Sequence, residues 1–317
     1  MLARRRFIGL MAAALAPDLA FAPRFARAGA APTIVATTGM IADAARALTG
    51  LPVTAIIGPG MDPHGHRPTR NDILTLSRAD LVLWHGLNLE AQFAKLMDGL
   101  SQKATVLAVA ETLPADLLLS DPAYPGRPDP HIWFDPALWA QVSQAMEPTL
   151  AAFAPDVAAR GTAYRAEVEA IASYAKAALD TIPAGSRLLV TAHDAFAYFG
   201  RAFGLEVAGV QGISTDSEAG LSRIAELVDL LVDRQVPAVF VESSVSDRAL
   251  RALIEGAAAR GHSVRIGGEL FSDAMGPEGS YEGTWVGMMD HNATTITRAL
   301  GGTAPERGAS GGLAANG

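Results

Sequence analysis

The chain has seven histidines, and three of them sit where a folded chain presents side chains to a cleft. His64 closes Gly58-Pro59-Gly60-Met61-Asp62-Pro63-His64, a Gly/Pro-rich loop directly after the apolar run at 53–57. His131 sits in Asp129-Pro130-His131-Ile132-Trp133-Phe134-Asp135-Pro136, and His193 ends Val190-Thr191-Ala192-His193. Asp273 lies in Glu269-Leu270-Phe271-Ser272-Asp273-Ala274-Met275-Gly276, a loop that follows the strand-like run at 263–266. Three imidazoles and one carboxylate satisfy the tetrahedral preference of Zn²⁺ and also serve Mn²⁺ or Fe²⁺. The chain has no cysteine, which removes disulfides, thiol catalysis, Cys-based zinc fingers and iron–sulfur clusters. Any metal is left to His, Asp and Glu.

The other histidines are weaker candidates. His66 is two residues from His64, so it either approaches the same ion or faces solvent. His85 ends the run Leu81-Val82-Leu83-Trp84-His85 and lines the cleft without ligating, while His262 and His291 read as structural or solvated. A metal-bound imidazole normally donates its second ring N–H to an acceptor. Glu242, at the end of the strand-like run 238–242, can fill that role, or it can join Ser243, Ser244 and Asp247 in a capping cluster. Asp194 and Asp135 are further acceptor candidates.

Those residues need a scaffold that brings loops from distant strands together. Short β-branched or apolar runs at 33–37, 53–57, 81–84 and 105–109 alternate with helical patterns at 41–48, 70–78 and 89–100. Strands separated by helices read as βαβ units on a parallel sheet. The alternation then stops, and from 156 the chain reads as one long helix of about 25 residues, at the upper edge for a globular helix. It resumes with strands at 188–191, 205–210, 238–242 and 263–266, with helices at 222–233 and 247–259 between. The expected fold is α/β: two Rossmann-like βαβ lobes joined by one long rigid helix. The expected boundaries are a lobe at 31–147, a linking helix at 148–184 and a second lobe at 185–300. The Gly/Ala/Ser-rich stretch 301–317 is expected to be a disordered tail. Ligands bind where the carboxyl ends of such strands converge, here between the lobes.

Residues 1–30 read as an export signal. Arg4-Arg5-Arg6 precedes a short apolar run broken at Pro17, and Ala26-Arg27-Ala28 fits an A-x-A cleavage site. Arg4-Arg5-Arg6-Phe7-Ile8 resembles a twin-arginine motif, with an ordinary Sec signal as the alternative. No other segment resembles a transmembrane helix, and without Cys a lipoprotein thioether anchor is not expected. The mature chain is expected in the periplasm. The full sequence of 317 residues, 50% hydrophobic and 18% charged, can bury a substantial core. With 25 Lys plus Arg against 33 Asp plus Glu, the full sequence's net charge of −8 argues against nucleic acid as a partner.

The motifs carry a family resemblance. Met61-Asp62-Pro63-His64, Asp129-Pro130-His131-Ile132-Trp133-Phe134-Asp135-Pro136, Thr191-Ala192-His193-Asp194-Ala195-Phe196 and Phe271-Ser272-Asp273-Ala274-Met275-Gly276 resemble the cluster A-I (TroA-like) solute-binding proteins of zinc/manganese ABC transporters. The resemblance runs in order over about 33–300 and includes Gln211-Gly212-Ile213-Ser214 and Val241-Glu242-Ser243-Ser244. It implies an ion held by His64, His131, His193 and Asp273 and delivered to a membrane permease. Many zinc-dedicated members have a His-rich loop before the Asp-Pro-His motif, whereas residues 111–128 here contain no histidine. Dedicated manganese members often have Glu where this chain has His193. The chain is thus of an intermediate type, with zinc expected first and manganese or iron as alternatives.

The resulting expectation is a monomeric periplasmic carrier, not an enzyme. An exported zinc hydrolase would keep an open water position beside three ligands and a general base. Four ligands from two lobes leave little room for one, and no HExxH motif is present. A metal-scavenging adhesin would need an anchor. The long helix should limit release to small loop and lobe shifts.

Overall fold

A computed structural model of the chain describes residues 32–121, 124–216 and 218–314. The export signal expected over 1–30 lies outside the described residues. The alternation read from the sequence becomes two four-stranded parallel sheets. The first contains β1 (Ile34–Thr38), β2 (Val53–Ile57), β3 (Leu81–Trp84) and β4 (Thr105–Ala108), ordered β2-β1-β3-β4. The second contains β5 (Leu188–His193), β6 (Glu206–Gln211), β7 (Ala238–Glu242) and β8 (Arg265–Leu270), ordered β6-β5-β7-β8. One topology is therefore used twice. In the first sheet Ile34 lies beside both Val53 and Leu81; in the second Leu188 lies beside Glu206 and Ala238 beside Arg265.

Parallel neighbours cannot be joined by a tight turn, so helices make the crossovers. In the first lobe these are α1 (Gly39–Thr49), α2 (Arg70–Ser77) and α3 (Ala94–Ser101). Strands β1 and β5 are buried along their whole length, which is why they read as apolar and β-branched runs without a regular polar alternation. In each sheet the chain goes out on one side of the first strand and returns on the other. The crevice beyond the carboxyl ends of β1 and β3, and of β5 and β7, is the place such a reversal leaves for a ligand.

Between the sheets lie α4 (Pro136–Leu150) and α5 (Val157–Leu179). The linking segment differs from expectation at its start. Residues 148–150 complete α4, because Pro148 falls in its last turn, where a missing N–H costs one bond shortly before the helix ends. Helix α5 buries Val157, Tyr164, Val168, Ile171 and Ala175, a stripe at helical spacing. It packs on α1 and α4 of the first lobe and on α6 (Ala197–Phe203) and α9 (Trp285–Ala299) of the second. One apolar core therefore runs from Ile34 and Leu83 through Tyr164 and Ile171 to Phe240 and Trp285. The outer faces of the sheets have smaller cores, the second packed under α7 (Leu221–Asp233) and α8 (Arg248–Ala259).

The stretch 301–317 was expected to be disordered, and over residues 301–314 the structure corrects this. Asp290 of α9 is fully buried, and both its oxygens accept the Ala309 N–H at 3.0 Å. Gly308 adopts φ 72° and comes so close to that carboxylate that a Cβ would lie 2.3 Å from Oδ1. Leu313 is buried, and the Ala314 N–H donates to Glu282 Oε1 at 2.8 Å. A small-residue composition served close backbone approach here rather than disorder. No helix among the described residues is long and apolar enough to cross a membrane.

Candidate metal centre

His64, His131, His193 and Asp273 come together. Each offers one donor atom, and the four atoms lie within 4.8 Å of one another, all on buried residues. His64 Nε2 is 3.2 Å from His131 Nε2, and Asp273 is 3.3 Å from His131 Nε2 and 3.2 Å from His193 Nε2. Close as they are, His193 Nε2 and both Asp273 oxygens make no hydrogen bond. Buried polar atoms are rarely left so. In a tetrahedron the edge is about 1.6 times the centre-to-corner distance, so bonds of about 2.0 Å from Zn²⁺ to N or O require edges of about 3.3 Å; three separations here are of that length, and none within the four-atom group exceeds 4.8 Å.

Each donor is aimed by local chemistry. His131 follows the Asp129-Pro130 step, and Asp129 Oδ1 accepts its backbone N–H at 2.9 Å and its Nδ1–H at 2.7 Å. His193 is the last residue of β5, and Glu242, the last of β7, repeats the arrangement: one oxygen takes the His193 N–H at 2.8 Å and the other its Nδ1–H at 2.5 Å. One carboxylate thus fixes both the backbone and the ring of each histidine, leaving Nε2 as the lone pair facing the centre. His64 rides the loop between β2 and α2, where Asp62 Oδ1 accepts its N–H at 2.8 Å. Asp273 follows β8, and the indole of Trp133 donates to the carbonyl of Ser272 at 3.0 Å.

Electrostatics follow from this packing. Burial holds the His64 pKa down at about 3, a pull that Asp273 opposes and His131 and His193 reinforce. Burial also pulls on His131, but the carboxylates of Asp129 and Asp273 outweigh it and lift that imidazole to about 9. His193 is raised well above the usual range in the same way, burial losing to Glu242 and Asp273. Burial works to raise Asp273, yet His193, His131 and His64 hold it well below the carboxylate range. The carboxylates around them thus favour the protonated forms of His131 and His193, while burial favours the neutral form of His64.

The remaining candidates separate cleanly. Glu242 is the acceptor it could have been. Asp135 instead caps α4, accepting from the N–H groups of Ala137 and Leu138, and pairs with Arg201. Asp194 lines a cavity beside the second lobe and bonds none of the three imidazoles. His66 pairs with Asp72 at 3.2 Å and stacks on Phe93, outside the four-donor group. His85 is buried and neutral, its pKa held at about 3 by burial, and donates to the Pro130 carbonyl at 2.7 Å, steadying the loop that carries His131. His262 and His291 donate to the carbonyls of Val236 and Glu269. Sequence reasoning missed two carboxylates, Asp129 and Glu90. Glu90, fully buried, accepts from Thr37 and from the N–H groups of His85 and Gly86. Asp129 carried a signal, an Asp two residues before a histidine; Glu90 carried none.

Two parallel-sheet lobes around a buried cluster of three histidines and an aspartate define a solute-binding protein built for a metal ion. The family described as ZnuA, zinc-uptake complex component A, periplasmic, matches residues 34–299, and the chain belongs to it. The manganese-binding lipoprotein MntA of Bacillus subtilis (strain 168) is 44% identical over 278 residues, covering 84% of this chain and 89% of MntA. The zinc-binding protein TroA of Treponema pallidum (strain Nichols) is 42% identical over 287 residues, covering 89% of this chain and 92% of TroA. The solved structure of periplasmic TroA from Treponema pallidum superposes with a TM-score of 0.82 at 42% identity, covering 86% of this chain and 99% of that one.

Proposed function

We propose that His64, His131, His193 and Asp273 bind one divalent transition-metal ion, Zn²⁺ in the first place, and that the chain hands it to the membrane permease of an ABC importer. Four donor atoms on buried residues, all within 4.8 Å of one another, carry this reading. Imidazole-rich ligation favours Zn²⁺ over Mn²⁺ in affinity. The relatives do not choose between the two, since MntA, named for manganese, and TroA, named for zinc, are almost equally similar to this chain. Manganese or iron as the delivered ion is therefore the second reading. The protein acts as a monomer in the periplasm, after removal of a signal over residues 1–30, with residues 31–147 and 185–300 as the two binding lobes. It is a carrier rather than an enzyme: four protein donors fill a tetrahedral ion and leave no position for an attacking water.

The test is metal analysis of protein purified without a His tag, followed by competition between Zn²⁺ and Mn²⁺. One ion per chain, with Zn²⁺ displacing Mn²⁺, is the expected result. A chain that takes up neither ion overturns the reading, and equal competition by Mn²⁺ overturns the zinc preference.

A further inference from the structure

Asp62 joins the two lobes at the mouth of the centre. While its Oδ1 holds the His64 N–H, its Oδ2 accepts the hydroxyl of Thr215 at 2.5 Å, from the loop between β6 and α7 in the opposite lobe. His64 is also the least anchored of the imidazoles. Carboxylates grip the Nδ1 of His131 and of His193, and among the described residues none grips that of His64. It is the donor nearest solvent, 4% exposed against 0% for His131 and His193 and 1% for Asp273. A cavity of about 60 Å³ touches His64 and is walled by Ile213, Ser214 and Asp216, the residues around Thr215. It shares those walls with a cavity of about 560 Å³ that opens along the second lobe. The way from His64 to water runs beneath the Thr215 loop.

We infer that the Asp62–Thr215 hydrogen bond is a latch that pins the His64 loop to the second lobe and sets the rate at which bound metal leaves. The inference rests on the four-ligand reading above. Departure of the ion requires one donor to let go first. Asp273 is enclosed between two imidazoles, and those imidazoles are each held at ring and backbone. The Gly/Pro-rich loop of His64 is the element free to lift, and it lifts only when Asp62 releases Thr215. Asp62 and Thr215 are positioning residues; neither offers the centre a donor.

Stopped-flow release of Zn²⁺ from the full chain into excess chelator tests this. A hydrogen bond to a carboxylate is among the stronger kinds, so Thr215→Val should release Zn²⁺ about tenfold faster, and its association rate should rise as well because entry retraces the same route. Thr215→Ser, which keeps the hydroxyl, should stay within about twofold of the parent. The far-UV circular dichroism of all three metal-free proteins should agree, which separates a lost latch from a damaged fold. Release from Thr215→Val at the parent's rate overturns the latch. If the parent holds neither Zn²⁺ nor Mn²⁺, the four-ligand reading fails and the latch falls with it.

Discussion

Trp133 donates its indole N–H to the backbone carbonyl of Ser272, and so the residue two past His131 holds the residue just before Asp273. The carbonyl of Trp133 in turn accepts the indole N–H of Trp285 at 3.0 Å, and the rings of Trp285 and Trp139 stack at 6.0 Å. Trp133 also packs edge-on against His131 and His85. Donors that are far apart in sequence and sit in different lobes are thus tied by buried hydrogen bonds on fully buried side chains.

Trp133→Phe keeps most of the ring but removes the N–H, leaving the Ser272 carbonyl buried without a donor. It should destabilise the metal-free protein by about 1–3 kcal/mol. Metal affinity should fall as Asp273 loosens. Urea unfolding and a Zn²⁺ titration would read the two effects, and unchanged affinity would show that Ser272 does not position Asp273.

Asp129→Asn and Glu242→Gln each remove the negative charge behind one of the imidazoles proposed as ligands, while preserving size. Each should weaken Zn²⁺ binding about 10–100-fold. Competition with a chromophoric chelator would measure this. An effect of twofold or less would mean that these carboxylates orient the rings without tuning them.

The residue at position 193 should influence metal preference, and its contact with Glu242 means the two should be changed together. A carboxylate in place of His193 would face Glu242, which now holds the ring at 2.5 Å. His193→Glu is therefore expected to bind poorly. His193→Glu combined with Glu242→Gln should bind and narrow the gap between Zn²⁺ and Mn²⁺, because carboxylate oxygen suits the harder ion. A double variant with the parent's Zn²⁺ preference would locate the preference elsewhere.

Asp43 gives the stability a pH dependence remote from the centre. Its carboxylate caps α9 by accepting the Trp285 N–H at 2.9 Å. Burial lifts its pKa from 3.8 to about 6, against the lowering effects of the Trp285 N–H and Arg46. The folded chain therefore holds this proton more tightly than the unfolded one. The stabilisation is complete below about pH 4 and lost as pH rises through about 6, at most about 3 kcal/mol for a shift of two units. Asn keeps the acceptor and cannot ionise. Asp43→Asn should therefore gain stability relative to the parent at pH 8 and less at pH 5, as read by urea unfolding. An equal difference at the two pH values would refute the assignment.

The parts of this molecule that could be read from its sequence are those set by short-range chemistry. His64, His131 and His193 stood out because Pro and Gly surround them or because a buried strand ends at them, and Asp273 because it follows a strand. The motif from Asp129 to Pro136 shows where such reading stops. It has an Asp on each side of its histidine, and reach alone does not say which one turns back to the ring. Pro136, at the first helical position, marks Asp135 as a helix cap and so leaves Asp129 for the histidine. The end of the chain escapes such reading for a different reason. Gly308 and Ala309 are fixed by Asp290 across a gap in sequence, and nothing local to 301–317 announces that contact.

The tryptophan ties between the lobes bear on traffic through the importer proposed above. If lobes laced through Trp133, Ser272 and Trp285 kept nearly one outline, the loop over His64 would be the main feature left to differ between a filled and an empty molecule. A permease that recognises the outline would admit empty carriers almost as readily as filled ones, and each empty visitor would occupy the dock without delivering cargo. Uptake would then track the proportion of carriers that are filled rather than their number. When metal is scarce, making more of this chain would slow import instead of speeding it.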